Sequence, residues 1–474
     1  MLFYNKNIVD PIKNIINYAT RCIPYEILQG SIYRNKIRFL LESQWWDKQK
    51  IEEYQNNQLQ ILLNYAYENV AYYKNLFHEL GLRPKDIQSI SELSKLPFLT
   101  KEMIVGKEKE FLNSKYKRSQ LINTHTGGTT SSPLHFWYDR KMTSKVEKAF
   151  YWRMWQWHGY FPGDRCLILK GAFDLKEMIQ YSPGENALYI FNPTFSIQTV
   201  KRYIKIIKQV KPTAIRGYPS LIYLLARFIN EHNLRVTLPS LKAVFCSSEK
   251  ILNFQKKAIA EAFDCKVVDC YGHNERVVAM QQCENLNNYH IIPEYGITEI
   301  IPDPIISSGA LEKTVGEIVG TGFNNYAFPL IRYRTGDWAV SATSNDTCTC
   351  NRQFAQCKEI IGRTGDFVLT PKGNFISPTC IEFAVRYIHN YKDIQIIQKD
   401  IDLLSILLVP TDNYSADEGI EFAEGVCSRI GDGMKAVVKL VSKIERPSTQ
   451  KSRFVVSEIS KQLLSKHFNK VENV

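Results

Sequence analysis

Short apolar strands alternate with helical patterns between about residues 166 and 271, and this alternation constrains the fold most strongly. The runs Cys166–Lys170, Ala214–Gly217 and Ala243–Cys246 have the length and composition of buried strands. Helical periodicity follows the second and third runs, over Ser220–Asn230 and Asn253–Phe263. Strands and helices that alternate in this way form layers, so the pattern predicts an α/β fold of sheets covered by helices.

The remainder of the chain predicts a second, smaller unit. A length of 474 residues favours two or three domains at ~150 residues each. Residues 289–340 are strand-rich, and a new set of strand, helix and strand patterns starts after Gly362. We therefore predict a large N-terminal domain over residues 1–363 and a small, mobile α+β domain over residues 364–474.

A net charge of +12 is compatible with nucleic acid, a polyanionic small substrate or an anionic membrane surface, and also with simple compositional bias. The sequence lacks zinc-finger spacing, an RNP-type aromatic motif and an Arg-rich tract, so we predict no nucleic-acid partner. It also lacks an apolar run of 18 residues and a secretory signal at residue 1. Together with 11 cysteines, these features predict a cytoplasmic protein with at most peripheral membrane contact. The loosely amphipathic first 40 residues could provide that contact, but packing against the main body is the favoured interpretation.

A polar, glycine-containing loop, T-H-T-G-G-T-T-S-S-P-L, spans Thr124–Leu134. Adjacent glycines let the backbone approach a ligand and point successive N–H groups at it. Five hydroxyl side chains lie within the seven residues from Thr126 to Ser132. Such a loop suits a polyphosphate, although it is not a Walker loop. A polar turn before a strand at His135–Tyr138 is the alternative interpretation.

Four further motifs follow this loop in a fixed order. They are Tyr271-Gly-His-Asn-Glu275, Tyr333-Arg-Thr-Gly-Asp337, Gly362-Arg-Thr-Gly-Asp366 and the segment around Lys451. Each is weak alone, because an aspartate can simply cap a turn and a lysine can simply be solvated. The order and spacing of these motifs resemble those of the adenylate-forming superfamily, which includes acyl-CoA ligases, luciferases and peptide-synthetase adenylation domains. The early segment Leu96–Lys101 and Arg216–Ser220 are similar to its phenylacetate–CoA ligase-like branch, which includes the CapK-type proteins of capsule biosynthesis.

The resemblance implies a set of ATP- or AMP-binding residues. The phosphate loop would comprise Thr126, Gly127, Gly128, Thr129, Thr130 and Ser131. Ser247, Ser248 and Glu249 would form the segment that passes the adenine, and Tyr271 would stack near the adenine. Gly272 belongs to the same nucleotide-binding set. Asp337 and Arg363 would reach the ribose. The loop departs from the family's T-S-G-T-T-G at Gly127 and Ser131.

The resemblance also implies two catalytic residues, Glu275 as the Mg²⁺ ligand and Lys451 between the acyl carboxylate and the α-phosphate. A carboxylate that attacks a phosphate brings two anions together, so a metal ion and a lysine are the groups such chemistry needs. Immediately before Lys451, Gln450 stands where glycine is usual in the family. The expected hinge between the two domains also departs, because Gly365 stands where the family has its first acidic residue after G-R-x, and Asp366 comes next. His273 is a candidate for the acyl pocket.

The implied reaction is ATP-dependent activation of a small carboxylic acid, which could be an amino acid, as acyl-AMP, followed by transfer to an acceptor. A sugar amine or hydroxyl, another amine, a carrier and CoA are all open as acceptors, and a role in surface-polysaccharide biosynthesis is the first hypothesis. The second hypothesis is an acyl-CoA ligase. A non-catalytic nucleotide-binding homologue is the third, because the loop and the hinge are altered.

Cysteine and histidine spacing predicts a structural zinc site. Cys283 and His290 form one group, and Cys348 and Cys350 form another about 60 residues later. Zinc prefers four thiolate or imidazole ligands, often supplied as two close pairs. Some members of the resembled branch carry a Cys/His cluster at these two places. Cys357 is the alternative fourth ligand, and ordinary space-filling cysteines are the alternative to a metal site.

Overall fold

The structure is a computed structural model. It describes residues 24–125, 134–170, 178–191, 196–234, 236–285, 288–302, 315–342, 348–363, 366–372, 375–376, 381, 388–431, 433–445 and 453–459.

Helices occur in the N-terminal part, between the strands of the large sheet and in the C-terminal part. The described α-helices are α1 Tyr25–Ser43, α2 Lys48–Asn69, α3 Ala71–Glu79, α4 Lys101–Ile104, α5 Glu108–Phe111, α6 Thr143–Gln156, α7 Ile197–Val210, α8 Pro219–Glu231, α9 Asn253–Phe263 and α10 Ala416–Ile430. Local signals explain several of their starts. Asp47 accepts a hydrogen bond from the backbone N–H of Lys50 at the start of α2, and Pro219 occupies the first turn of α8.

Strands account for most of the remaining regular structure. The described strands are β1 Leu121–His125, β2 His135–Asp139, β3 Cys166–Lys170, β4 Met178–Ser182, β5 Ala187–Phe191, β6 Ala214–Gly217, β7 Ala243–Ser247, β8 Lys266–Gly272, β9 Ala279–Gln282, β10 Tyr289–Ile291, β11 Gly296–Pro302, β12 Val315–Gly322, β13 Tyr333–Ser341, β14 Gln356–Arg363, β15 Val368–Leu369, β16 Phe375–Ile376, β17 Tyr391–Asp400, β18 Leu403–Pro410, β19 Lys435–Leu440 and β20 Val455–Ser457.

Twelve of the described strands form one large sheet. Their order is β11-β12-β13-β14-β10-β9-β8-β7-β6-β3-β5-β4. The strands from β8 through β7, β6 and β3 to β5 are parallel, and the neighbours on either side of this block are antiparallel. The carboxyl ends of β7 and β8 therefore meet at one edge, where a ligand site is expected in an α/β sheet.

Side-chain alternation places helices on both faces of the parallel block. Val244 and Cys246 of β7 face a core that includes residues of α7, α8 and α9. Phe245, between them, faces the other core, which includes Phe150 and Trp155 of α6. A strand that is buried on both faces has a continuous apolar sequence, as these runs do. The α/β class that was predicted from them is therefore confirmed.

The C-terminal part contains a smaller sheet of four described strands in the order β19-β18-β17-β20. β17 and β18 are antiparallel, whereas β19 and β20 each join the sheet in parallel. Phe422 and Val426 of α10 pack with Ile396 and Leu404 in a separate core. This unit matches the small C-terminal sheet and helix set expected from the sequence.

Within the part of the chain that the structure describes, the helices lack the combination of length and hydropathy that membrane crossing requires.

Candidate active site

The candidate site begins where the parallel strands β7 and β8 end. Ser247, the last residue of β7, pairs with Cys270 in β8, one residue before Tyr271. The strand continues to Gly272, where a Cβ atom would lie 3.2 Å from the Oη atom of Tyr151. The sheet therefore brings Ser247, Tyr271 and Gly272, three of the predicted nucleotide-binding residues, to the same edge.

Asp337 links Tyr271 to Arg363. The hydroxyl of Tyr271 donates to Oδ2 of Asp337 at 2.8 Å, and Nε of Arg363 donates to Oδ1 at 3.1 Å. Asp337 and Arg363 are also register partners on the antiparallel strands β13 and β14. The Asp337 carboxylate is buried, yet both of its oxygens accept a hydrogen bond. This places three of the predicted nucleotide-binding residues in one bonded group.

Glu275 lies on the turn after β8. Its Oε2 atom is 3.1 Å from Nδ1 of His273, and its Oε1 atom accepts a hydrogen bond from the hydroxyl of Tyr333 at 3.4 Å. Burial raises the pKa of Glu275, but the hydrogen bond and charge of His273 outweigh it and bring the pKa to about 2. Glu275 is therefore ionised at neutral pH, which suits a ligand for a hard divalent cation.

The hairpin of β1 and β2 is attached to the same turn. The hydroxyl of Tyr138 donates to the carbonyl of Asn274, and Nδ2 of Asn274 donates to the carbonyl of His125 at 3.2 Å. The predicted phosphate loop, Thr126–Ser131, lies outside the described residues. Its first described neighbour, His125, is thus fixed beside the turn that carries Glu275.

Ser248 and Glu249 follow β7 directly. Ser248 has a φ of +72°, a left-handed conformation that turns the chain sharply after the strand. Oε2 of Glu249 accepts from the backbone N–H of Ser220 at 3.1 Å, at the start of α8. Negative charge is favourable at a helix start, so Glu249 also stabilises the Arg216–Ser220 segment.

The residues around the expected hinge form a second charged group. Residues 364–365 and Lys451 lie outside the described part of the chain, but Asp366 and Arg453 lie within it. Nε of Arg453 donates to Oδ1 of Asp366 at 2.6 Å, and the backbone N–H of Arg363 donates to Oδ2 at 2.7 Å. Gly362 has a φ of +127°, and a Cβ there would lie 2.8 Å from Oδ2 of Asp366, so this position requires glycine.

Cys283, His290, Cys348 and Cys350 come together away from this edge. Their ligand atoms all lie within 4.8 Å of one another. Sγ of Cys283 is 3.3 Å from Sγ of Cys348, and Sγ of Cys350 is 3.3 Å from Nε2 of His290. Tetrahedral zinc with bonds of ~2.0–2.3 Å needs ligand atoms roughly 3.5–4 Å apart, so these residues fit the ion.

Cys357, the alternative fourth ligand, lies elsewhere. Its Sγ atom contacts the carbonyl oxygens of Val340 at 3.5 Å and Glu359 at 3.4 Å. Within the described residues the four-membered group therefore excludes Cys357.

Three contacts of the site were not predicted from the sequence. They are the bond between His273 and Glu275, the bond from Tyr333 to Glu275 and the ion pair of Asp366 with Arg453. The sequence could have indicated the bond between His273 and Glu275, because the two residues are two positions apart in one motif. It could also have indicated the bond from Tyr333 to Glu275, because Tyr333 is the first residue of the Tyr333–Asp337 motif.

Comparison with known proteins finds one family match in the C-terminal part and relatives that cover most of the chain. The sequence profile of the CapK C-terminal domain family matches residues 368–458. Protein CapK of Staphylococcus aureus is 24% identical over 419 residues, which cover 86% of this chain and 89% of the relative. The phenylacetate–coenzyme A ligase of Thermus thermophilus is 26% identical over 342 residues, covering 71% of this chain and 75% of the relative.

Solved structures show the same fold. A 2-hydroxyisobutyryl-CoA ligase in the postadenylation state, in complex with R3-HIB-AMP, superposes with a TM-score of 0.68 at 21% identity. That match covers 89% of this chain and 93% of the ligase. The fold and the similarity to these ligases identify an adenylate-forming enzyme, an AMP-forming ligase. Within that superfamily, the chain is similar to the phenylacetate–CoA ligases and to protein CapK.

Proposed function

We propose that this enzyme joins a carboxylic acid to the AMP moiety of ATP, releases pyrophosphate and transfers the acyl group to an acceptor. The observation that carries the proposal is the bonded group of Tyr271, Asp337 and Arg363 at the sheet edge that also bears Glu275. This arrangement offers hydrogen-bonding groups for a nucleoside and, on the next turn, a buried ionised carboxylate for the metal of a nucleotide.

Each group of site residues contacts a different part of the nucleotide in this proposal. Asp337 and Arg363 hold the ribose, and Tyr271 lies beside the adenine with Ser247–Glu249. The phosphates are received by Thr126–Ser131, and Mg²⁺ on Glu275 would offset their charge. A carboxylate oxygen of the acid attacks the α-phosphorus, the bond to the β-phosphate oxygen breaks, and pyrophosphate leaves. Lys451 stabilises the two anions as they meet.

In the second step a nucleophile of the acceptor attacks the acyl carbon and AMP leaves. We infer an acceptor on a surface polysaccharide, a sugar amine or hydroxyl, from the resemblance to CapK-type capsule proteins and the match over residues 368–458. A second candidate is CoA, with a thioester as the product. It is supported by the phenylacetate–CoA ligase relatives and by a 2-hydroxyisobutyryl-CoA ligase structure with CoA bound, which has a TM-score of 0.57.

We further infer a division into residues 1–363 and 364–474, with the second part closing over the nucleotide and carrying Lys451. The family match that starts at residue 368 supports this boundary. From residue 432 onward the chain has nine Lys or Arg and four Asp or Glu, a charge that suits closure over ATP. We also infer a cytoplasmic location, because ATP is available there and because zinc binding by Cys283, Cys348 and Cys350 requires reduced thiols.

We also infer that Cys283, His290, Cys348 and Cys350 bind a structural zinc ion. Cys348 and Cys350 precede β14, and Cys283 and His290 border the loop between β9 and β10. The ion would thus tie two loops of the large sheet together, at a distance from the reacting groups.

The test is exchange of labelled pyrophosphate into ATP, measured with a broad panel of aliphatic, aryl, hydroxy and amino acids at saturating Mg²⁺. Exchange that depends on the acid supports the proposal. Asp337→Asn should raise the KM for ATP, because the variant loses the charge that Arg363 pairs with. Exposed Asp412→Asn is the matched control, in the loop after β18. Exchange with none of the acids would instead indicate a non-catalytic nucleotide-binding protein.

A further inference from the structure

The side chain of Arg216 lies in an apolar layer beside the candidate active site. Arg216 is the third residue of β6 and pairs with Ile168 of β3 and Phe245 of β7. Ile168 and Phe245 belong to the core that also contains Trp155 of α6. The guanidinium carbon of Arg216 lies 3.7 Å from the centre of the Trp155 ring. The guanidinium therefore occupies the space between the sheet and α6.

The positive charge of Arg216 has no carboxylate within ion-pair distance among the residues that the structure describes. Glu185 acts on this charge, but its carboxylate accepts a hydrogen bond from the hydroxyl of Tyr189 instead. An arginine stays charged at every pH at which proteins fold, and a charge in an apolar layer is unfavourable without an opposite charge. A guanidinium in this position indicates a bound anion that supplies the missing charge.

Two further polar groups beside Arg216 cannot neutralise it. The hydroxyl of Tyr160 and the thiol of Cys166 both interact with the guanidinium. Burial raises the pKa of Cys166 to about 11 and also raises the pKa of Tyr160, so both groups are neutral at pH 7. They can accept hydrogen bonds from the guanidinium, but they bring no negative charge to it.

The contact with Trp155 leaves the edge of the guanidinium available. A cation over an aromatic ring is attracted through its face, whereas the N–H donors of arginine point outward in the guanidinium plane. Arg216 is partly exposed although β6 is a central strand, so a small molecule can approach its side chain. The donors form a fork that matches two oxygens of a carboxylate or of a phosphate group.

A row of aromatic rings connects Arg216 with the nucleotide edge. Trp155 stacks on Tyr151, with ring centres 5.6 Å apart and 27° between the ring planes. The Oη atom of Tyr151 would lie 3.2 Å from a Cβ atom at Gly272, the last residue of β8. In the proposed reaction the carboxyl group of the acid meets the α-phosphate at this edge. An acyl chain that runs along Tyr151 and Trp155 would then bring its far end to Arg216.

The phosphates of ATP are a poor match for Arg216. Through Phe245, Arg216 lies level with Val268, four residues before the end of β8 at Gly272, and β6 is two strands away from β8. Strand spacings of ~4.8 Å and ~3.3 Å per residue place the Cα atoms of Arg216 and Gly272 roughly 15 Å apart. The phosphates would lie beyond that edge, beside Glu275, so the anion at Arg216 belongs to the acyl part of the substrate.

We propose that Arg216 binds a second anionic group at the far end of the acyl chain, which makes the substrate a dicarboxylic acid. This inference rests on the proposed adenylating function and names the substrate class of the same site. One carboxyl group is adenylated at the sheet edge, and the other stays ionised against the guanidinium. Arg216 thus determines specificity through direct contact with the acid.

The experiment compares matched acids in pyrophosphate exchange. The pairs are hexanoate and adipate, octanoate and suberate, and phenylacetate and 4-carboxyphenylacetate, which differ in the terminal carboxylate. We expect the diacids to exceed their partners by about tenfold or more in kcat/KM. Monomethyl adipate keeps the chain but loses the charge, so it should behave like hexanoate. The phosphonate 5-phosphonopentanoate, set against adipate, distinguishes a carboxylate site from a site for any terminal anion.

Variants of Arg216 test whether this side chain is responsible. Arg216→Gln removes the charge and should reduce the preference for diacids to about threefold or less through the KM of the acid, with the KM for ATP unchanged. Arg216→Lys keeps the charge but not the fork, so it should retain part of the preference. Arg202→Gln, which removes an exposed arginine of α7, is the matched control for net charge and should retain all of it.

Equal use of diacids and monoacids by the wild type would overturn the inference while leaving the proposed function standing, and this comparison needs no variant to fold. An equal loss for all acids in Arg216→Gln would also overturn it, because Arg216 would then support the structure of the layer rather than select the acid. Absence of exchange with every acid would overturn the proposed function and this inference together.

Discussion

The carboxylate of Asp366 is paired with the guanidinium of Arg453, with Nε of Arg453 2.6 Å from Oδ1. The two residues are 87 positions apart. Asp366 also accepts from the backbone N–H of Arg363, whose side chain binds Asp337. A continuous series of bonds therefore runs from the proposed ribose site to the segment that begins two residues after Lys451.

We expect this ion pair to hold Lys451 in place during adenylation. Arg453→Ala should lower the rate of acyl-AMP formation by about tenfold, which corresponds to ~1.4 kcal/mol of transition-state stabilisation. Arg453→Lys keeps the charge but loses the fork geometry of the guanidinium, so it should recover only part of the rate. Single-turnover formation of acyl-AMP is the measurement. A normal rate in Arg453→Ala would mean that the pair does not position the lysine.

The zinc inference predicts about one metal ion per chain. Elemental analysis of protein purified without chelator should find zinc, and Cys348→Ser or His290→Ala should lose it together with several degrees of thermal stability. Cys357→Ser is the matched control, because Cys357 lies on β14 outside the cluster, and it should retain the metal. A stable, active wild-type protein without metal would contradict the assignment.

Elements with strong local patterns were predicted closely. The runs Ala214–Gly217 and Asn253–Phe263 have the same ends in the sequence pattern and in the structure, because period and strand length are local properties. The sequence also predicted that Cys283, His290, Cys348 and Cys350 lie together, although their contacts span 60 and 65 residues. The prediction was possible because a metal ion is the usual reason for such a set of cysteine and histidine side chains.

Other features depend on tertiary contacts and leave no local signal. The position of β14 between β13 and β10 follows from the packing of the whole sheet. The orientation of His273 follows from burial of the turn rather than from the motif itself: one nitrogen contacts Glu275, and the other has no hydrogen-bond partner among the residues that the structure describes. The resemblance therefore indicated Glu275 as a site residue but not the bond that keeps it ionised.

That bond has a consequence for stability against pH. The pKa of Glu275 is about 2 in the folded protein, below ~4.3 expected in the unfolded chain. A lowered pKa stabilises the folded state above about pH 4, and this contribution is lost as the pH falls towards 2. Without Mg²⁺, Glu275→Gln should therefore lower the free energy of unfolding at neutral pH by about 1–3 kcal/mol.

The difference between wild type and Glu275→Gln should shrink as the pH falls below about 4. Urea denaturation at several pH values from 7 to 3.5 measures it. A difference that stays constant over this range would show that the carboxylate of Glu275 gains no stabilisation from His273. A larger difference at acid pH would have the wrong sign for a lowered pKa.

The last prediction concerns Lys451 and the two half-reactions. A lysine that meets the acyl carboxylate and the α-phosphate stabilises charge only while acyl-AMP forms. If the C-terminal part then turns away to admit the acceptor, Lys451 has no role in the transfer step. Lys451→Ala should therefore slow adenylation by two orders of magnitude or more and leave transfer from preformed acyl-AMP within about threefold, with ~1.4 kcal/mol for each factor of ten. Lys439→Ala, which removes an exposed lysine of β19, is the matched control for net charge and should leave both rates near those of the wild type. Acyl-AMP formation and its consumption by acceptor should be assayed separately. Equal losses in both half-reactions would mean that Lys451 supports the structure of the C-terminal part rather than one step of the chemistry.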